Sequence, residues 1–122
     1  MNLTVDLMMP RVVRAAEMAV RAALEPMVVE DQEECWEAIR DALDAALSED
    51  GWDVTYRGGQ YMNRIVATHP GGGEMNLEVS GLTLRLRTSW KPVRRPRSHV
   101  AETTILLRTR MALCLDPIRA QL

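Results

Sequence analysis

The hydrophobic period of this chain changes near Gly51, and that change limits the folds open to it. Before Gly51 the apolar residues recur every three or four positions; after it they alternate. Helix-forming sequence followed by alternating strands predicts one α+β domain over residues 1–122. The expected architecture is two N-terminal helices, a four-stranded antiparallel meander sheet and a C-terminal helix packed on one face.

The first helix is expected over residues 10–25. Pro10 suits a first turn, where a missing N–H costs nothing. Val13, Ala16, Val20 and Leu24 fall on one stripe, Glu17 and Arg21 have the favourable i,i+4 order, and Pro26 ends the ladder. The second helix is expected over 31–48. Asp31 is a good N-cap with Glu34 three residues on, and Trp36, Ile39, Leu43 and Leu47 form its buried stripe.

Beyond Gly51, Trp52, Val54 and Tyr56 alternate with Asp53, Thr55 and Arg57. Gly58-Gly59 reads as a two-residue turn into a strand over Gln60–Thr68, with Tyr61, Ile65 and Ala67 on one face and Met62, Arg64 and Val66 on the other. His69–Gly73 is a loop, and Met75, Leu77 and Val79 form a third strand. A turn at Ser80-Gly81 would pair 79 with 82, 77 with 84 and 75 with 86, gathering six apolar residues on one face. Its rival is one long strand bulged at Gly81. Two prolines make Trp90–Arg97 a connection. Ser98 is expected to cap a last helix running to about Cys114, with Asp116-Pro117 as its stop. Thr103–Leu107 is also good strand sequence, since short apolar runs suit either element.

The halves of the chain are oppositely charged. Residues 1–56 hold four basic and thirteen acidic side chains; residues 57–122 hold eleven basic and four acidic. A formal net charge of −2 conceals this asymmetry, which points to a charged partner or to halves that face each other. The acidic candidates are Glu34, Glu37, Asp41 and Asp44, on one flank of the second helix. The basic candidates are Arg85, Arg87, Lys91, Arg94, Arg95 and Arg97. Arginines on a proline-stiffened loop suit phosphates or an acidic partner, and Trp90 could stack on a base.

Motifs for chemistry are missing. His69 and His99 stand alone, no Cys-x2-Cys or His-x3-His spacing suggests zinc, and no serine sits in a G-x-S-x-G elbow. Gly71–Gly73 lacks the P-loop pattern and leads into a strand. No enzyme, cofactor or metal is therefore expected. Cys35 and Cys114 read as buried thiols, with a disulfide between them as the alternative. Eight Met and no Phe point to Met as ordinary core filling, or else to a Met-rich binding surface formed by Met8, Met9, Met18, Met27 and Met62.

No secretory signal and no membrane span is expected, which suggests the cytoplasm. In topology alone the element order resembles small secretion-chaperone-like or phage-type assembly modules, and topology does not fix function. The expected function is a protein-interaction or self-assembly module, most simply a homo-oligomer; the alternative is nucleic-acid binding through 85–97.

Overall fold

The computed structural model describes residues 3–26, 31–58, 63–90 and 99–120. Helix α1 covers Leu3–Leu24 and α2 covers Gln32–Leu47, followed by a 3-10 turn at Ser48–Asp50. Strands β1 (Asp53–Arg57), β2 (Arg64–Thr68), β3 (Glu74–Ser80), β4 (Thr83–Trp90) and β5 (His99–Leu106) come next, and then α3 (Thr109–Leu115) and α4 (Pro117–Ala120). The strands form an antiparallel meander in sequence order. The expected α+β architecture is present, with five strands instead of four.

Helix α2 forms as its sequence dictates. The Asp31 carboxylate accepts hydrogen bonds from the N–H groups of Glu33 and Glu34, satisfying two donors that a helix start leaves free. Trp36, Ile39, Leu43 and Leu47 are buried, joined by Cys35. Helix α1 starts earlier than expected, so Pro10 lies inside it. Met8 and Met9 enter the core, and their burial outweighs the backbone bond that Pro10 forfeits. The buried line then runs through Val12, Ala16, Val20 and Leu24, with Val13 half-buried beside it.

Both hairpins differ in register from the sequence reading. Arg57 pairs with Arg64, so the first connection is longer than two residues; Gly59–Met62 lie outside the described residues. In the second hairpin Ser80 pairs with Thr83, which makes Gly81-Leu82 the turn. Gly81 adopts φ +61°, the left-handed value that a type II′ turn needs at its first central position. The register moves by two residues, so no side chain changes face. Val79 meets Leu84, Leu77 meets Leu86 and Met75 meets Thr88, while Leu82 is left exposed in the turn.

The largest correction concerns residues 99–106, which form β5 instead of the start of a helix. Without this strand the backbone edge of β4 would be bare beside a core that contains Leu84 and Leu86. The β-branched run Thr103-Thr104-Ile105 pairs along it. The helix shrinks to α3, which buries Met111, Ala112 and Leu115 and stops at Asp116 as expected.

One core fills the space between the sheet and the helices. Helix α1 lies against β4 and β5, and α2 against β1 and β2. Met8, Met9, Met75 and Met111 are all core residues, so the proposed Met surface loses Met8 and Met9. Met18 is exposed, and Met27 and Met62 lie outside the described residues.

Candidate functional site

The sheet covers the core with one face; among the described residues no helix packs on the other. Register places the open-face side chains in rows across the strands. One row runs Arg57, Arg64, Glu78, Arg85, Thr104; the next runs Thr55, Val66, Asn76, Arg87, Glu102. Arg85 sits between two carboxylates, 3.4 Å from Glu102 and 4.0 Å from Glu78. Arg87 is exposed and faces Asn76 and Glu102 across the strands. The observed register therefore assembles four arginines on this face: Arg57, Arg64, Arg85 and Arg87.

Arg57 and Arg64 were absent from the sequence-derived basic set. Their signal was their outward parity in alternating strands, visible only once β1 and β2 are paired. They lie directly opposite each other, a like-charged arrangement that costs stability. Lys91, Arg94, Arg95 and Arg97 lie outside the described residues. Trp90, expected as a stacking platform, is half-buried against the core.

The acidic set lies on the other side of the molecule. Glu34, Glu37, Asp41 and Asp44 are all exposed on the flank of α2 that faces away from the core. Arg40 joins this flank. Its guanidinium donates to the Asp41 carboxylate at 2.8 and 3.1 Å, which holds it still more firmly protonated, and the charges of Asp41, Glu37 and Asp44 act in the same direction. Among the described residues no ion pair joins this flank to the arginines of the sheet. The core and the sheet stand between them.

The reactive side chains His69, Cys35 and Cys114 have structural surroundings. The Nδ1 atom of His69 accepts the Gly71 N–H at 2.9 Å, so its Nε2 carries the proton and donates to the Asp50 carbonyl at 2.9 Å. This histidine ties the 69–73 loop to the end of α2. The loop is itself an ordered turn, closed by bonds between His69 and both Gly72 and Gly73. Cys35 and Cys114 are not joined in a disulfide. Burial first, then the nearby charges of Cys114 and Glu34, push Cys35 up to about 12. Burial also raises Cys114, with Asp31 adding to the effect.

Among the described residues, no group of three His, Cys, Asp or Glu side chains has metal-binding geometry. No helix among them is long and apolar enough to cross a membrane. No family model, curated protein or solved structure matches this chain.

Proposed function

We propose that this chain is a non-enzymatic interaction module that associates with itself or with a protein partner through surfaces of opposite charge. The observation that carries this reading is the separation of the two charged regions. The acidic flank of α2 and the open face of the sheet lie back to back across the core; the open face sets Arg57, Arg64, Arg85 and Arg87 among Asp53, Glu74, Glu78 and Glu102, so its charge is mixed while that of the α2 flank is mainly negative. Opposite potentials on separate faces steer encounter and fix register, while apolar contact supplies affinity. Two cysteines that form no disulfide fit a reducing compartment, in keeping with the cytoplasm.

Nucleic-acid binding through 85–97 is the competing reading. It is weakened by the engagement of Arg85 with Glu78 and Glu102 and by the packing of Trp90 against the core. Solution mass separates the two. Light-scattering chromatography on nuclease-treated and untreated protein, at low salt and at about 0.5 M, should give a discrete oligomer that persists in salt without nucleic-acid absorbance. A monomer carrying nucleic acid that salt strips away would overturn the proposal, because phosphate contacts weaken steeply with salt.

A further inference from the structure

The two edges of the sheet are unequal. Strand β1 is short, carries Asp53 and Arg57 at its ends, and lies under α2. Strand β5 has eight residues and pairs only with β4 among the described residues. Natural edge strands are usually blunted by proline, lysine, bulges or brevity. From Val100 to Leu106 this one has no proline, no lysine and a single charge, at Glu102.

The direction of its free backbone groups follows from one bond. The Leu107 N–H donates to the Leu82 carbonyl at 2.8 Å, which continues the β4–β5 register by one position. Hydrogen-bonded and non-bonded pairs alternate in an antiparallel ladder. Residues 101, 103 and 105 therefore turn their N–H and C=O groups toward β4. Glu102, Thr104 and Leu106 turn theirs outward, where no described residue meets them. Leu106 is 77% exposed at this edge.

We infer that β5 pairs antiparallel with β5 of a second copy of this chain, joining two sheets into one of ten strands. This rests on the self-association proposed above and adds a backbone seam to its charged faces. The edge is self-complementary in one register. With Thr103 on the two-fold axis, Glu102 lies opposite Thr104 of the second copy and position 106 lies opposite position 100. Moving two residues one way would set Glu102 against Glu102; moving two the other way would set it against Leu106. In the favoured register each Glu102 keeps its own Arg85, 3.4 Å away.

Two variants test this. Thr104→Pro removes an outward donor and no β4–β5 bond, which an edge strand tolerates. The wild-type protein at roughly 100 µM should show twice the 13.8 kDa of one chain. Thr104→Pro should give the monomer mass with its circular dichroism retained. Thr103→Cys, made with Cys35→Ser and Cys114→Ser, should form a covalent dimer under mild oxidation, because Thr103 would face itself in a close non-bonded pair. A wild-type monomer at that concentration would overturn both this inference and self-association. A wild-type dimer that Thr104→Pro leaves intact and Thr103→Cys fails to cross-link would overturn the β5 seam alone. Should Thr104→Pro fail to fold, the cross-link decides by itself.

Discussion

The indole Nε1 of Trp36 donates to the carbonyl oxygen of Leu115 at 3.2 Å, joining α2 to the end of α3 across 79 positions of sequence. The same ring stacks on Tyr56, with centroids 6.0 Å apart and planes 7° from parallel. One side chain thus holds both helices against the first strand.

Replacing Trp36 with Ala should cost about 3–5 kcal/mol, the usual loss for a buried tryptophan. Trp36→Phe keeps a ring on Tyr56 but removes the bond to the Leu115 carbonyl, and should cost about 1–3 kcal/mol. Urea unfolding measures both. A loss below roughly 1 kcal/mol for Trp36→Ala would contradict its place in the core.

His69 and Gly73 should prove structural. His69→Ala removes the bonds to Gly71 and Asp50 and should cost about 1–3 kcal/mol. A Cβ at Gly73 would stand 2.7 Å from the buried Trp52 ring, so Gly73→Ala should cost about 1–3 kcal/mol through overpacking. Thermal melting reads each. An unchanged melting point for Gly73→Ala would show that the ring can move aside.

The ion pairs of Arg85 are solvent-exposed and should matter little to folding. Arg85→Ala should change stability by less than about 1 kcal/mol. Arg85→Glu places a third carboxylate between Glu78 and Glu102, so it should destabilise more, and salt should relieve part of that loss. Equal stability of the two variants at low salt would mean the row has no electrostatic coupling.

Much of this was legible in the sequence, for reasons visible in particular residues. Asp31 and the Trp36–Leu47 stripe defined α2 because cap and period agree there. Inward and outward positions in β3 and β4 were readable because parity survives a register error of two. The register itself was not. Counting apolar pairs favoured enclosing Leu82, whereas the φ of Gly81 put the turn one residue later. The sequence of β5 suits helix and strand alike, and the choice was made by the edge of β4, a tertiary demand. Arg57 and Arg64 went unnoticed because strand pairing, not proximity in sequence, brings them together.

Alkaline pH should destabilise the fold. Cys35 rises from an ordinary 9.0 to about 12, so the folded state keeps a proton that the unfolded state releases. Its contribution is whole below about pH 9 and is lost as pH climbs toward 12. Tyr56 is raised as well, by burial and then by Glu33 and Glu37, and acts in the same direction. Urea midpoints should therefore fall from pH 8 to pH 10.5, and the fall should shrink in Cys35→Ala relative to that variant's own pH 8 value. A flat profile in the parent protein would contradict the burial of this thiol.

Amide hydrogen exchange along β5 at two protein concentrations tests the central claim most directly. The N–H groups of Thr103 and Ile105 face β4 and should be protected at both concentrations. Those of Glu102, Thr104 and Leu106 should be protected at high concentration and should exchange freely on dilution. Free exchange of these three amides in protein that is dimeric by mass would place the contact elsewhere and contradict the account.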